Sequence, residues 1–404
     1  MYIIKLIFWT SLFIVIYSYV LYSILVWFLI FCRKIFFGEQ NKQFDSQFLP
    51  SVSLVIATYN EEIIIRKKIQ NSLELDYPGD KLKIYFVTDG STDKTNDILK
   101  LYPSVNVLYK PERKGKVAAI NHAMEFVDSP FVIFCDANTF LNKSCIKEIV
   151  KHYKDEKTGA VAGEKKVINT SKKNSAVGSG EGLYWKYESL LKKLDARFYT
   201  VVGAAGELFS MRTALYKPMD ANILLDDFMI SMNICKMGYT VMYEPAAFAM
   251  ETPSLNIRDE QKRKIRISAG GFQSIYLLRD LLNIFKYGKL SFQYISHRVL
   301  RWTICPLLLP VIFILNIILC YYAPATIYYF LGIMQIIFYL GAFIGWAFAQ
   351  KNIKSKVFYI PYYFLFMNIS LYKGFLRFIK NEQTVLWDKA GRKADETESA
   401  KQGN

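Results

Sequence analysis

Residues 51–93 decide the fold, and they read SVSLVIATYNEE (51–62), a helix-like segment, and then KIYFVTDGSTD (83–93). Residues 52–57 and 82–87 are short apolar runs of the kind that form buried parallel strands, and residues 63–75 have near-helical apolar spacing. Each run stops at polar residues, which follow from Thr58 and from Thr88. The pattern predicts a βαβ unit with polar residues at the carboxyl ends of its strands, where open α/β sheets bind ligands. A nucleotide is the natural ligand to expect.

The composition limits the classes of protein to which the chain can belong. The chain has 404 residues, of which 52% are hydrophobic, and a formal net charge of +16. Cytosolic flanks of membrane helices explain that charge better than nucleic-acid binding, because the basic residues form no single block and no helix-turn-helix or zinc spacing accompanies them. Nucleic acid is therefore not an expected partner. The six cysteines include no C-x-x-C pair, which favours a reducing compartment over a zinc site or a disulfide framework.

The hydrophobic pattern predicts how the chain is divided between membrane and cytosol. Residues 1–34 are predicted to form an N-terminal transmembrane helix, because a long uncharged run ends at Arg33 and Lys34. The basic end should face the cytosol. Residues 35–49 then form a polar linker, and residues 50–268 a cytosolic domain of alternating strands and helices.

Hydrophobic segments return in the last third. Residues 269–301 mix apolar and basic side chains, which favours helices lying in the membrane interface. Residues 302–349 are predicted to form a transmembrane hairpin that turns at Ala323-Pro324. Residues 357–380 are a third hydrophobic segment, and its basic residues favour a re-entrant or interfacial helix over a spanning one. The tail, 381–404, is predicted to be cytosolic, and its charged part from Asp388 onward is predicted to be disordered.

Two further short motifs point to phosphate chemistry. Lys114-Gly115-Lys116 precedes a predicted helix, 117–126, and a glycine between lysines at a helix start suits a close approach to phosphate oxygens. Asp136 and Asn138 follow a predicted buried strand, 131–135. Their oxygens lie two residues apart, so they could share a divalent cation with a diphosphate, or they could simply form an Asp/Asn turn.

Nine motifs in order along the chain carry a family resemblance. They are VIATYNEE, LELDYP, VTDGSTD, RKGKVAAINHAM, FCDANT, YWKYE, GAAGELFSMR, LLDDFMISMNICKMGYTVMYEPAAFAME and RKIRISAGG. With them the sequence resembles the membrane-embedded family 2 glycosyltransferases, which include poly-N-acetylglucosamine, cellulose and hyaluronan synthases. The resemblance implies an α/β fold: a GT-A-type, Rossmann-like domain with a mainly parallel sheet, plus transmembrane and interfacial helices.

The resemblance also implies a nucleotide-sugar site. The residues that match the family's UDP-sugar-binding positions are Ala57, Thr58, Tyr59, Glu61, Asp89, Lys116, Asp136 and Arg266. Asp89 would hydrogen-bond the base, and Lys116 would contact the nucleotide or its phosphates. Asp136 and Asn138 stand at the family's Asp-x-Asp, where Mn²⁺ or Mg²⁺ bridges the diphosphate. The asparagine keeps an oxygen ligand but removes a charge, so Asp136 would carry more of the metal binding.

Leu225-Asp226-Asp227 matches the family's Thr-Glu-Asp, and its spacing from Gly238-Tyr239 places the catalytic base at Asp227. Such a base takes the proton of the acceptor hydroxyl as that hydroxyl attacks the anomeric carbon. Direct attack inverts the anomeric centre, so an α-linked donor gives a β-linked product. In the alternative interpretation the two acids cap a helix over 228–236, because Asp is a preferred cap.

The acceptor side is expected to involve Trp185, Gly206, Glu207, Asp226, Arg263 and Ile267. The family's Q-x-x-R-W aligns best with residues 263–267, although a register starting at Gln261 keeps the glutamine. In the better register Arg266 would hold the leaving diphosphate. Ile267 replaces the tryptophan that forms a sugar platform in processive synthases. Trp185 or Tyr187 could offer aromatic surface instead, or could be packing residues of a helix.

The sequence thus predicts a membrane-integral inverting hexosyltransferase of family 2. It would take a UDP-sugar on the cytosolic side of the plasma membrane and form a β-glycosidic bond to a glycan or lipid-linked acceptor in cell-surface polysaccharide synthesis. Two alternatives remain open: a processive synthase that also translocates its product, and a non-catalytic sugar-nucleotide-binding scaffold subunit. An accessory membrane subunit is also left open. A Rossmann dehydrogenase is disfavoured because no G-x-G-x-x-G follows the first strand.

Overall fold

Eight strands form one sheet in the part of the chain that the structure describes. The structure is a computed structural model, and it describes residues 1–38, 48–167, 176–252, 257–351, 353 and 355–382. In chain order the strands are β1 (Val52–Thr58), β2 (Leu82–Asp89), β3 (Asn106–Lys110), β4 (Phe131–Asp136), β5 (Phe140–Leu141), β6 (Thr158–Val167), β7 (Leu208–Arg212) and β8 (Thr240–Glu251). Their order in the sheet is β3-β2-β1-β4-β7-β6-β8-β5.

The sheet is mixed and mainly parallel, which confirms the predicted fold class. β1 pairs in parallel with β2 on one side and with β4 on the other, and β2 pairs in parallel with β3. β7 runs antiparallel between β4 and β6, β6 is parallel to β8, and the short β5 is antiparallel to β8. The antiparallel strand β7 therefore separates two parallel groups.

The helices are numbered in chain order in the same way. They are α1 (Tyr2–Ile16), α2 (Tyr22–Phe37), α3 (Ile65–Leu73), α4 (Thr95–Leu99), α5 (Lys116–Met124), α6 (Cys145–Val150), α7 (Ala176–Phe198), α8 (Asp226–Lys236), α9 (Ile257–Leu277), α10 (Ile284–Tyr287), α11 (Lys289–Tyr294), α12 (Cys305–Tyr322), α13 (Thr326–Gln350) and α14 (Lys356–Ile379). A π-helical segment, Tyr17–Leu21, joins α1 to α2, and another, Ile295–Ile304, joins α11 to α12. Short 3₁₀ turns lie at Gly79–Lys81, Lys151–Lys154, Thr213–Leu215 and Arg279–Leu282.

The chain divides into two compact units. The helical unit comprises Met1–Glu39, Ser171–Phe198 and Glu260–Gln383, and the sheet unit comprises Gln40–Thr170, Tyr199–Asp259 and Thr384–Asn404. Much of the predicted linker, 35–49, and all of the tail from residue 383 onward lie outside the described residues.

The core of the sheet unit is built around β1, which is buried along nearly its whole length. Leu54 and Ile56 on one face of β1 pack with Ile65 and Ile69 of α3 in one buried cluster, to which Ile149 of α6 also belongs. A strand that is buried on both faces is typical of a parallel sheet covered by helices. This packing fixes the direction in which the carboxyl ends of the strands point.

The helical unit contains three helices long and apolar enough to cross a membrane, by length and composition. Within the described residues they are Tyr2–Phe37, Lys289–Tyr322 and Thr326–Gln350. The helix α14 is not among them, so whether residues 357–380 span a membrane stays a prediction. It packs closely on α13, since a Cβ at Gly345 would lie 2.1 Å from the carbonyl oxygen of Phe358. Glycine lets two helix backbones approach in this way.

Candidate active site

The carboxyl ends of β1, β2 and β4 meet at one edge of the sheet. Ala57 pairs with Val87 on one side and with Asp136 on the other. Thr58 is the last residue of β1, and Asp89 is the last residue of β2. The structure therefore brings together four residues that the sequence assigned to the nucleotide-sugar site, because parallel neighbours end at the same edge.

Asp89 shapes the loop that leads into α5. Its Oδ1 accepts a hydrogen bond from the Lys114 N–H and its Oδ2 one from the Gly115 N–H, each at 2.8 Å. The side chain is buried. Gly115 has φ = 96°, a conformation that favours glycine. Asp89 thus holds the lysine-glycine-lysine loop in place, and its hydrogen bond to a base stays a prediction.

Arg113, which is not among the residues predicted for the site, lies over the ring of Tyr59. The guanidinium carbon is 3.9 Å from the ring centroid, which is within the range of a cation–π interaction. Gly90, with φ = 63°, allows this arrangement, because a Cβ there would lie 2.8 Å from the Arg113 backbone nitrogen. The run RKGK, in which Arg113 is the first of three basic residues, was the signal that could have identified it.

Side-chain hydrogen bonds tie the loop after β1 to the loop after β2. Asn60 Oδ1 accepts from the Thr92 N–H at 2.8 Å, and the Glu61 N–H donates to Thr95 Oγ1 at 2.8 Å. Asn60 has φ = 51°, a conformation that asparagine tolerates better than most residues. The backbone that carries Glu61, predicted to lie beside the uridine, is therefore fixed from both sides.

Lys116 lies at the centre of a group of carboxylates. Its Nζ is 2.8 Å from Asp136 Oδ1 and 3.5 Å from Asp226 Oδ2. Burial opposes the charged form of the lysine, but the charges of Asp136, Asp226 and Asp227 outweigh burial and hold the pKa of Lys116 above its ordinary value. The lysine stays an ammonium at neutral pH and can attract a phosphate group.

Asp226 and Asp227 form the first turn of α8. The alternative interpretation, in which both acids cap a helix that starts at residue 228, is wrong in this detail. The helix begins at Asp226, and Leu225 is its N-cap residue. Neither acid is therefore the cap, although the helix dipole favours carboxylates in a first turn.

Burial, followed by the neighbouring charge of Asp226, raises the pKa of Asp227 to about 7. The positive charge of Lys116 and the Phe228 N–H, which donates to Asp227 Oδ1 at 2.8 Å, act in the opposite direction. Asp226 is buried, and its Oδ2 accepts no hydrogen bond from the described residues, although Lys116 lies nearby. A carboxyl group with a pKa near neutrality can accept a proton efficiently at neutral pH.

Gly206 borders Lys116 and Asp227 directly. A Cβ at this position would lie 3.0 Å from Lys116 Nζ and 3.3 Å from Asp227 Oδ2. The next residue, Glu207, contributes to raising the pKa of Asp227 through its negative charge. The structure thus brings Gly206 and Glu207, which the sequence assigned to the acceptor side, to the same place as the predicted base.

A second charged cluster lies beside the first, and two of its members were missed in the sequence. Lys165 Nζ is 2.7 Å from Glu207 Oε1 and also contacts Glu251 Oε2. The amide of Asn138 is 3.5 Å from Glu251 Oε1. Lys165 and Glu251 come from the ends of β6 and β8, far from Asn138 in sequence, so only the pairing of these strands reveals the cluster.

Asp136 and Asn138 have the donor chemistry that Mn²⁺ and Mg²⁺ require. Asp136 offers a carboxylate and Asn138 an amide oxygen, and oxygen ligands suit these hard cations. Asp136 Oδ1 accepts a hydrogen bond from Lys116 Nζ at 2.8 Å. Within the described residues, no group of three or more His, Cys, Asp or Glu side chains could hold a metal ion. A cation bound here would therefore need further ligands from a diphosphate or water.

Trp185, Arg263, Arg266 and Ile267 belong to the helical unit. The Trp185 ring on α7 is flanked by two ammonium groups, with Lys192 Nζ at 5.6 Å and Lys264 Nζ at 5.9 Å from its centroid. Such flanking cations are consistent with cation–π contacts. The residues of α9 predicted for the acceptor and the diphosphate thus lie on a helix that also contacts Trp185 through Lys264.

Tyr187 is engaged in packing within the same unit. Its hydroxyl donates to the carbonyl oxygen of Tyr19 at 2.6 Å, and Arg301 lies over its ring at 5.4 Å. Of the two aromatic residues considered as a sugar platform, Tyr187 therefore matches the packing interpretation. Ile267 is half-buried on α9.

The fold is of the GT-A type. The mannosyltransferase PcManGT from Pyrobaculum calidifontis, solved in complex with GDP-Man and Mn²⁺, superposes with a TM-score of 0.70 over 94% of this chain and 100% of its own, at 18% sequence identity. At that identity the likeness shows the fold alone.

Residues 53–219 match the model of the family described as Glycosyl transferase family 2, so the chain contains a family 2 glycosyltransferase domain. Poly-beta-1,6-N-acetyl-D-glucosamine synthase of Staphylococcus aureus (strain COL) is 26% identical over 268 residues, which are 63% of this chain and 63% of that protein. The probable glycosyltransferase YdaM of Bacillus subtilis (strain 168) is 28% identical over 224 residues, which are 50% of this chain and 51% of its own length. The match thus spans less than two thirds of either relative. The predicted family resemblance is confirmed.

Proposed function

We infer that the protein is a membrane-integral inverting glycosyltransferase. It would transfer a sugar from a UDP-sugar, on the cytosolic side of the plasma membrane, to a hydroxyl of a glycan or lipid-linked acceptor. The observation that carries this proposal is the grouping of Asp227, Lys116 and Asp136 beside Gly206, where burial raises the pKa of Asp227 to about 7. Transfer of a sugar to a hydroxyl needs a base that accepts the hydroxyl proton, as Asp227 could, and a cation that stabilises the leaving group, as the Lys116 ammonium could.

Asp227 would accept the proton of the acceptor hydroxyl while that oxygen attacks the anomeric carbon. Attack from the side opposite the leaving group inverts the anomeric centre, so an α-linked donor gives a β-linked product. Burial and, after it, the charge of Asp226 raise the pKa of Asp227, whereas the charge of Lys116 lowers it. The pKa of the base is set by these opposing effects.

The leaving diphosphate would be bound by cations of this chain. Lys116 is held as an ammonium by its carboxylate neighbours, and Arg266 offers a guanidinium that matches phosphate oxygens. Asp136 and Asn138 would hold Mn²⁺ or Mg²⁺, which would neutralise charge on the diphosphate when bound. The stack of Arg113 on Tyr59 supports a binding surface for the nucleoside at the same edge of the sheet.

The proposal is tested by purifying the full chain in lipid nanodiscs and incubating it with a panel of radiolabelled nucleotide sugars. UDP-N-acetylglucosamine is the first donor to include, because the relative from Staphylococcus aureus is a poly-N-acetylglucosamine synthase by name. Transfer of label to lipid or glycan from at least one UDP-sugar supports the proposal. Nucleotide binding without transfer from any donor would favour the non-catalytic scaffold instead.

The rate should depend on pH in a way that reports Asp227. Because the base must be ionised to accept a proton, we expect turnover to rise as pH increases through about 7 and then to level off. The substitution Asp226→Asn removes a negative charge that raises the pKa of Asp227, so the rising limb should move to lower pH. Turnover measured across about pH 5–9 checks this expectation. An unchanged limb in the variant would show that Asp226 does not tune the base.

Chain length of the product should depend on Ile267. An isoleucine cannot stack flat on the apolar face of a sugar as an aromatic ring does, so the growing end should dissociate often between additions. We expect short products or single transfer from the wild type and longer products from Ile267→Trp, with Ile267→Leu as the matched control. Products are sized by gel filtration. High-molecular-weight polymer from the purified wild type alone would contradict this and would favour Trp185 as the platform.

A further inference from the structure

Lys68 on α3 is completely buried, and its amino group bonds both ends of the turn that carries the proposed metal ligands. The residue is 0% exposed. Its Nζ donates to the carbonyl oxygen of Thr139 at 2.7 Å and to Cys135 Sγ at 3.0 Å. These two partners stand on either side of Asp136 and Asn138 in the chain. One amino group thus holds the turn before its first proposed ligand and after its second.

Thr139 and Cys135 also bind the turn from within. Thr139 is fully buried, and its Oγ1 donates to the carbonyl oxygen of Asp136 at 3.0 Å and lies 3.1 Å from Cys135 Sγ. The Thr139 N–H donates to the same carbonyl oxygen at 3.3 Å. Lys68, Thr139 and Cys135 therefore form one buried network around the backbone of Asp136. A buried polar network whose members find partners makes the local structure rigid.

Stability alone does not account for a lysine at this place. Lys68 forms no ion pair with a carboxylate among the described residues, and its amino group bonds a carbonyl oxygen and a thiol instead. Burial of a cationic group without an acid lowers stability relative to an apolar side chain. Exceptions of this kind are expected at functional sites. The role of Lys68 is therefore to be sought in the turn that its amino group holds.

We propose that Lys68 and Thr139 are positioning residues for the divalent cation. They hold the backbone of the turn so that Asp136 and Asn138 present their oxygens to one ion. This inference rests on the proposed function, which takes those two residues as the metal ligands. Both positioning side chains are buried, so they act through the turn and do not touch the cation. Residues that orient metal ligands contribute about 10–100-fold to metal affinity.

The test is the affinity of the full chain in nanodiscs for Mn²⁺ with UDP present, measured by electron paramagnetic resonance. Lys68→Met keeps the length of the side chain but removes its donors, and we expect it to raise the dissociation constant for Mn²⁺ about 10–100-fold. The sign of the change separates positioning from charge, because loss of a nearby positive charge by itself would tighten the binding of a cation. Unchanged or tighter binding would overturn the proposal.

Thr139→Val tests the same network with a smaller change, since it keeps the branched shape of the side chain and removes only the hydroxyl. We expect about tenfold weaker Mn²⁺ binding. Unchanged binding in this variant would also overturn the proposal, whether or not Lys68→Met folds.

Ile69→Ala is the matched control, because Ile69 is an equally buried neighbour on α3 whose side chain packs in the apolar core. It should lower the Tm without changing the affinity for Mn²⁺. An equal loss of affinity in Ile69→Ala would show that any destabilisation of α3 weakens metal binding, and it would overturn a specific role for Lys68.

UDP binding and sugar transfer keep this result separate from the proposed function. Calorimetric binding of UDP without metal should be unchanged in all three variants, and its loss in Lys68→Met would overturn the proposal by showing a disturbed nucleotide site. If the wild type binds no Mn²⁺ with UDP present, the positioning role is overturned, whereas transfer from a UDP-sugar would still support the proposed function. Weaker Mn²⁺ binding in Lys68→Met and Thr139→Val supports the positioning role even where no sugar is transferred.

Discussion

Asp227→Asn is expected to lower turnover by about 10²–10⁴-fold, the usual contribution of a general base. The amide has nearly the shape of the carboxylate but cannot accept the proton of the acceptor hydroxyl. The fold should persist, because the hydrogen bond that Asp227 Oδ1 accepts from the Phe228 N–H is local, and the amide oxygen of asparagine can also accept it. Turnover of the purified variant with saturating donor measures the effect, and calorimetric binding of UDP checks that the nucleotide site is intact.

Asp226→Asn is the control for this prediction, because the two acids are adjacent in the first turn of α8 and differ in surroundings. Asp226 is the one paired with Lys116, at 3.5 Å. Its loss should change the pH dependence while leaving most of the turnover at high pH. If Asp226→Asn is inactive and Asp227→Asn is nearly normal, the base is one residue earlier than the motif spacing indicates.

The nucleotide half of the site could be predicted from sequence because its geometry is local to each strand. An apolar run followed by a polar residue predicts a buried parallel strand and the place where it ends. Parallel strands then bring Thr58, Asp89 and Asp136 to one edge without any further information. The observed strands confirm this, with β1 and β4 each one residue longer than the predicted runs.

The contacts between distant residues could not be predicted in this way. Lys165 meets Glu207 and Glu251 only because β6 pairs with β8 and lies beside β7. Lys165 stands in none of the quoted motifs, and Glu251 is only the last residue of one, where no role is attached to it. Likewise, Arg113 lies over Tyr59 in a loop whose next residue, Lys114, donates its N–H to Asp89.

Buried charge within the helical unit is also hard to predict from sequence. Residues 269–301 stay predicted to be interfacial, and the structure joins the last part of them to α12 in one continuous helix, Lys289–Tyr322. Arg298 and Arg301 each lie 3.0 Å from an oxygen of Glu188 on α7. A charge that has a buried partner no longer needs water, and a single sequence does not reveal that partner.

Removing divalent metal is expected to abolish transfer, and adding Mn²⁺ or Mg²⁺ should restore it. Asp136 is the carboxylate at the expected metal position, and Asn138 adds an oxygen without a charge. Asp136→Asn should therefore lower turnover by about 10²–10³-fold, the usual cost of removing one preorganised electrostatic group. Asn138→Asp should lower the Mn²⁺ concentration needed for half-maximal activity, because it adds a charged oxygen.

Electron paramagnetic resonance measures Mn²⁺ binding in the presence of UDP, and so separates metal binding from activity. We expect weaker binding in Asp136→Asn and tighter binding in Asn138→Asp. Glu251→Gln is the matched control. It removes a negative charge beside Asn138 without removing a predicted metal ligand. Full activity of the wild type in excess chelator would contradict the prediction. Stabilisation of the leaving diphosphate would then rest on Lys116 and Arg266, whose positive charges need no metal.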